Sequence, residues 1–217
     1  MRINEIFLSI QGETRSAGLP TIFVRTGGCP IRCTYCDTPY ALTAQGSVVM
    51  TVHEVMAAVR EKRCKRVCLT GGEPLIQPKA ELQALFDLLH TEGYELSIET
   101  SGAVPIAPFQ LHDRQRWILD MKTPSSGEVE RMDFDSLNHL RSHDEVKFVV
   151  GSREDFDWSV DLIRRYQLEG RAGLLFSPVW DAVRPVELTE WVLASSIDAR
   201  VQIQLHKIIW DPATRGV

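Results

Sequence analysis

Seven short runs rich in β-branched and large aliphatic residues punctuate the chain: TIFVR (21–25), RVCLT (66–70), ELSIET (95–100), WILDM (117–121), EVKFVV (145–150), GLLFS (173–177) and VQIQL (201–205). Runs this continuously apolar suit strands buried on both faces, which is the situation of a parallel sheet covered by crossover helices. The intervening segments supply those helices. TVHEVMAAVREKR opens with Thr51 as N-cap and Glu54 three residues on, a capping box, and places Val52, Val55, Met56 and Val59 on one face. PKAELQALFDLLHTEG carries Pro78 in its first turn, a stripe of Leu82, Leu85, Phe86 and Leu89, and Gly93 just past its end. Residues 155–170 and 186–196 predict two further helices, while 123–143 are polar and irregular.

Six or seven strands in 217 residues are too few for a closed eight-fold barrel, which runs to ~250 residues. The pattern predicts a partial, incomplete parallel β/α barrel forming a single domain over residues 1–217. In such a fold the polar residues at strand carboxyl ends, Thr70, Glu99, Asp120, Ser177 and His206, converge on one mouth.

Charge excludes some partners. The formal net charge is -5 with a pI near 5.7, and no basic run is present to neutralise a row of phosphates, so nucleic acid is not an expected partner. No apolar stretch reaches the roughly 18 residues of a membrane span, and Glu5 interrupts the start before a secretory segment forms, so a cytoplasmic location is expected.

Five cysteines make an odd count, and three of them, Cys29, Cys33 and Cys36, crowd into GGCPIRCTYCDTPY (27–40), which opens at the same mouth. A disulfide framework is a poor reading for such spacing, and metal ligation is the better one. A closed zinc site wants four ligands, and a ferredoxin run supplies a fourth cysteine followed by proline; neither pattern is present. Cys64, at a helix end, and Cys68, inside RVCLT, read as small buried hydrophobes. Three thiolates on a four-iron cube leave one iron open, which is a catalytic arrangement.

CxxxCxxC, with Tyr35 before its third cysteine and TGGEP (70–74) ending the next strand, resembles the radical S-adenosylmethionine superfamily. EIFLSIQGET (5–14), FVRTGGCPIRCTYCDTPY (23–40), CLTGGEPLIQ (68–77), IETSG (98–102), EVKFVV and QLHK (204–207) sharpen this to 7-carboxy-7-deazaguanine synthases. The resemblance implies a trimmed barrel, commonly dimeric, that carries a 4Fe-4S cluster, S-adenosyl-L-methionine and Mg2+. The implied reaction contracts the ring of 6-carboxy-5,6,7,8-tetrahydropterin to 7-carboxy-7-deazaguanine, releases ammonia, and draws its electron from a donor such as flavodoxin or ferredoxin. It implies Cys29, Cys33 and Cys36 as cluster ligands and Thr38 as a magnesium ligand. Cofactor contacts fall to Tyr35, Gly71, Gly72, Glu73, Glu99, Asp120, Met121, Lys122 and Ser177, and substrate contacts to Ile10, Gln11, Gly12, Glu13, Arg25, Thr70, His206 and Pro212. Arg25 suits a carboxylate because its guanidinium makes a bidentate fork, and Glu73 offers an acceptor to an ammonium group.

A glycyl-radical enzyme activase shares the cysteine and GGEP-like segments and is the alternative enzyme, but QGE, CDT and QLHK together have no obvious use there. The last residues, LHKIIWDPATRGV, predict a tail in which Ile208, Ile209 and Trp210 pack against the barrel and the segment beyond covers the substrate.

Overall fold

The computed structural model describes residues 1–212 and 214–217. One sheet runs through it. Strand β1 (Arg2–Ile10) leads into β2 (Pro20–Thr26), and the two-residue β3 (Val48–Val49) precedes helix α1 (Val52–Glu61). Then follow β4 (Arg66–Gly71), α2 (Lys79–Thr91), β5 (Glu95–Thr100), β6 (Gln115–Met121), β7 (Glu145–Val150), α3 (Arg153–Tyr166), β8 (Gly173–Pro178), α4 (Pro185–Ser195), β9 (Arg200–Val201) and α5 (Leu205–Ile209). The sheet order is β3-β1-β2-β4-β5-β6-β7-β8-β9; β2 and β4 to β9 are parallel, whereas β1 pairs antiparallel with both β2 and β3. The open, incomplete parallel barrel is therefore present, with an antiparallel edge in front of it.

Besides the two-residue β3, which none of the seven runs marks, two strand assignments differ from the sequence reading. Strand β1 was not among the seven runs, because RINEIFLSI is a half-exposed edge strand that mixes polar and apolar residues. At the other end VQIQL supplies only Val201 to a ladder; Gln202 and Gln204 turn their amides to other segments and the chain enters α5, so His206 stands on a helix.

The parallel strands alternate. Val67, Leu69, Leu96, Ile98, Leu119, Met121, Val146, Phe148, Val150, Leu174 and Phe176 join one apolar cluster with the helices. Into this cluster α1 sends Val55, Met56 and Val59, while α2 sends Leu82, Leu85, Phe86 and Leu89. The residues between them, Cys68, Thr70, Ser97, Glu99, Asp120 and Lys147, belong to the opposite face, because successive side chains of a strand point to opposite sides. The inner face of the barrel is thus polar, and it is where chemistry can occur. The Thr51 capping box is formed as the sequence predicts. Residues 123–143 contain three short 3-10 turns in place of a crossover helix.

Candidate active site

A cavity of ≈ 660 Å³ opens at the carboxyl ends of the parallel strands. The loop after β2 brings Cys29, Cys33 and Cys36 to its wall, and Gly28 makes the turn possible at φ +99°. Burial pushes all three thiols up, Cys33 to about 11. Among the described residues no three His, Cys, Asp or Glu side chains are already gathered into a metal cage, so the loop presents three thiols on one wall. Binding iron draws off their protons, since the thiolate is the ligand. Beside Cys33 stands Lys122, whose ammonium is kept protonated against its burial by Asp120 at 3.0 Å. A fixed cation next to three sulfurs suits an anionic group there. Burial also raises Tyr35, to about 12, so its phenol stays neutral within 3.3 Å of the Thr123 hydroxyl and the Val149 carbonyl. Cys64 and Cys68 lie apart from this wall: the Cys64 sulfur is 3.1 Å from the Pro20 carbonyl, and Cys68 is fully buried.

Gly71, the last residue of β4, and Gly72 serve a close approach of backbone to backbone. Gly72 donates to the Thr26 carbonyl at 3.1 Å, and Glu73 to the Gly28 carbonyl at 2.8 Å, so the cysteine loop and the TGGEP segment are bonded into one unit. A Cβ on Gly72 would meet the Gly28 oxygen at 2.2 Å and the Ala41 oxygen at 2.6 Å.

Glu73 has protein partners of its own. It is 0% exposed and its carboxylate accepts from Leu75 N (2.9 Å), Thr100 Oγ1 (2.9 Å), Ser101 N (2.7 Å) and the Ser101 hydroxyl. It splints the end of β4 to the end of β5 and does not line the cavity. The side chains of two other expected cofactor contacts also lie outside the cavity lining. Met121 alternates with Asp120 and so points into the helix-side core, and the Ser177 hydroxyl is occupied by Gln202 at 3.0 Å. All the remaining predicted site residues line the cavity.

The loop after β1 lines the same cavity. Gln11 donates to Glu99 at 3.1 Å, and burial pushes the Glu99 carboxyl up although Lys147 opposes it. Gly12 is pressed against the His206 ring, where a Cβ would sit 2.1 Å from Nδ1, and its carbonyl accepts from Leu205 N at 2.9 Å. Burial holds the His206 imidazole below its usual range and hence neutral. Arg25 is bonded to Glu5 at 2.7 Å, with Phe7 and Tyr40 alongside. The Thr38 hydroxyl donates to Asp37 Oδ1 at 2.9 Å and makes no cap bond to the turn that follows, so its lone pairs remain available to a hard cation. The donor set therefore fits all three implied groups: three sulfurs, a polar cofactor cradle, and an oxygen beside them.

Residues that were not singled out from sequence complete the site. Lys147 on β7 lies 2.7 Å from Glu13 and 3.2 Å from Asp120. Gln204 bridges Glu13 (2.6 Å) and Asp37 (3.2 Å), and Trp180 lines the rim. Lys147 had a signal available, a lone charge inside an otherwise apolar run; Trp180, in a loop, had none.

The tail partly departs from expectation. Ile208 and Ile209 are 59% and 52% exposed and do not pack against the barrel. The segment beyond does return to the cavity, which Pro212 and residues 214–217 line, and the Arg215 guanidinium lies 3.9 Å above the Tyr40 ring. Ala213 is outside the described residues.

Comparison with known proteins adds relatives. Residues 23–177 match the sequence profile of the Radical SAM superfamily. The 7-carboxy-7-deazaguanine synthase of Koribacter versatilis is 38% identical over 231 residues, covering 100% of both chains. That of Methanospirillum hungatei is 40% identical over 212 residues, 98% of this chain and 86% of the relative. The crystal structure of QueE from Escherichia coli is similar with a TM-score of 0.70 over 94% of this chain and 93% of that one; at 24% identity it supports the fold.

Proposed function

The chain belongs to the Radical SAM superfamily and, within it, to the 7-carboxy-7-deazaguanine synthases, and from that premise we propose how its residues share the work. The enzyme is a radical S-adenosylmethionine lyase that contracts 6-carboxy-5,6,7,8-tetrahydropterin to 7-carboxy-7-deazaguanine with release of ammonia, using a 4Fe-4S cluster, S-adenosyl-L-methionine and Mg2+. The activase alternative is not favoured, since the full-length relatives carry the synthase name.

The observation that carries the division of labour is that the cysteine loop and the Gln11–Gly12–Glu13 loop line one cavity. Cys29, Cys33 and Cys36 would hold the cluster, with Lys122 and Asp120 beside the cofactor and the Gly71–Gly72 backbone cradling it. With cluster and cofactor bound, one-electron cleavage supplies the hydrogen-abstracting radical. The chain's own task is then positioning and the exclusion of other hydrogen donors. Gln11 and Glu13 read the polar edge of the pterin, Arg25 and the cation at Thr38 take its carboxylate, and the neutral imidazole of His206 offers a donor or acceptor from above Gly12. Tyr35 and Thr70 flank the two halves.

The same reading includes a cytoplasmic homodimer, a single domain and a low-potential donor such as flavodoxin or ferredoxin. One sheet reaching from Arg2 to Val201 supports the single domain. In the described residues no helix is long and apolar enough to cross a membrane.

Anaerobic incubation of the reconstituted chain with the carboxytetrahydropterin, S-adenosyl-L-methionine, Mg2+ and a reductant should yield carboxydeazaguanine. Absence of that product with a full iron complement counts against the reading. Thr38→Ala should leave iron intact but raise the Mg2+ concentration needed for half-maximal turnover by roughly ten- to a hundredfold, as loss of a metal-site partner does. An unchanged Mg2+ titration removes Thr38 from the site. Deleting residues 211–217 should raise the pterin KM by about tenfold or more, since an ordering contact above the substrate is lost, with iron content unaltered. Turnover equal to that of the full chain would mean that the tail is no lid.

A further inference from the structure

The polar inner face carries one cation that the reaction as described leaves unused. Lys147 stands between Val146 and Phe148, both in the apolar core, and its side chain is 8% exposed. Its Nζ lies 2.7 Å from Glu13 Oε2 and 3.2 Å from Asp120 Oδ2. The other oxygen of Glu13 accepts from Gln204 Nε2 at 2.6 Å. Glu13 is therefore held at both oxygens, by a strand residue of β7 and by the segment that follows β9, so its carboxylate has one orientation relative to the cavity. Burial alone would strip the proton from Lys147, but Asp120, Glu13 and Glu99 surround it and keep it an ammonium.

We infer that Lys147 is a positioning residue for the pterin: anchored on Asp120, its ammonium fixes the Glu13 carboxylate in the direction from which substrate is read. The inference rests on the functional reading above, in which Glu13 faces the pterin edge. A carboxylate on a loop, with three rotatable bonds, aims poorly by itself; a buried ion pair with a strand residue gives it the rigidity of the sheet. Replacing the ammonium by a methyl thioether of similar length removes the anchor without emptying the space. It also leaves Glu13 and Asp120 facing each other without a cation between them, which drives Glu13 out of its orientation.

The test is the affinity of the cluster-loaded enzyme, with S-adenosyl-L-methionine present, for the unreactive probe 6-carboxypterin, followed by fluorescence. Lys147→Met should weaken probe binding by roughly ten- to a hundredfold, the scale on which loss of a group that orients a binding residue is felt. Iron content should stay as in the parent, and 5′-deoxyadenosine should be released in excess of deazaguanine formed. In a Glu13→Gln background, where no carboxylate remains to be aimed, adding Lys147→Met should change probe affinity by less than about twofold. This double variant also removes both charges of the pair, so it remains informative if Lys147→Met alone does not fold. Wild-type probe affinity and tight coupling in Lys147→Met, or an equally large effect of Lys147→Met with and without Glu13, overturns the inference. Failure of the unaltered enzyme to make carboxydeazaguanine is a separate result and counts against the functional reading.

Discussion

Replacing Cys33 by alanine should leave the reconstituted protein with little of its iron and reduce S-adenosyl-L-methionine cleavage to background. The reason is the shortage of substitutes. Cys29, Cys33 and Cys36 share one wall of the cavity, while Cys64 sits against the Pro20 carbonyl and Cys68 lies inside β4. A cube held by three protein sulfurs already has one open iron; with two sulfurs, half of its four irons lack a protein ligand. Cys64→Ala and Cys68→Ala should keep iron and cleavage near the parent level, Cys68→Ala at a cost of about 1 kcal/mol in stability for the small cavity it leaves. Iron per chain and deoxyadenosine release measure both. Full iron with full cleavage in Cys33→Ala would end the cluster assignment.

Gly72→Ala should be nearly as damaging, through packing. The added Cβ would lie 2.2 Å from the Gly28 oxygen and 2.6 Å from that of Ala41, and neither is the end of a flexible side chain. The two loops must separate, at about 2–3 kcal/mol, which lowers Tm by roughly 5–10 °C for a domain of this size. Separation also breaks the bonds of Gly72 N and Glu73 N to the cysteine loop, so iron retention should fall with it. Gly170→Ala is the control: its φ is +72° but nothing lies within 4 Å of the added atom, so it costs only the backbone term of about 1–2 kcal/mol and leaves iron unchanged. Equal iron loss in both variants would show that general destabilisation, rather than the seam between the loops, is responsible.

How legible the molecule was in its sequence depended on how local each signal is. The α1 capping box is closed within three residues, and it formed as the pattern predicts. The cysteine spacing and the glycines of TGGEP are equally local. What failed was information held by strand parity and by distant partners. Asp120 and Met121 are adjacent in sequence yet on opposite sides of the sheet, so of the two only Asp120 brings its side chain to the cavity. Glu73 carries the signature of a ligand, but Thr100 and Ser101, at the end of another strand, had already saturated it. VQIQL has the composition of a strand; its glutamines are spent on Thr14, Ser177, Glu13 and Asp37, and the ladder stops at Val201. Lys147 was visible as an anomaly in EVKFVV, and only the placement of Glu13, 134 residues earlier, gives it a purpose.

The loop after β1 is closed on itself by short-range bonds such as Gly18 N to the Gln11 carbonyl, but the groups that fix it against the rest of the site come from far along the chain. Thr14 N is held by Gln202, 188 residues away; Arg15 N by Glu145, 130 away; and Glu13 by Lys147 and Gln204. Contacts of such sequence separation are the slowest to form, because the loop-closure entropy is lost before any contact offsets it. Synthesis delivers this segment first and its partners last. The parallel strands with the cysteine loop and the cofactor wall assemble from neighbours in sequence, whereas residues 11–16, although closed locally between β1 and β2, gain these distant partners only when Gln202 and Gln204 are in place. The substrate half of the site is consequently the last part of the molecule to come into being, and a chain arrested short of Gln202 keeps the cluster motif but lacks the surface that recognises pterin.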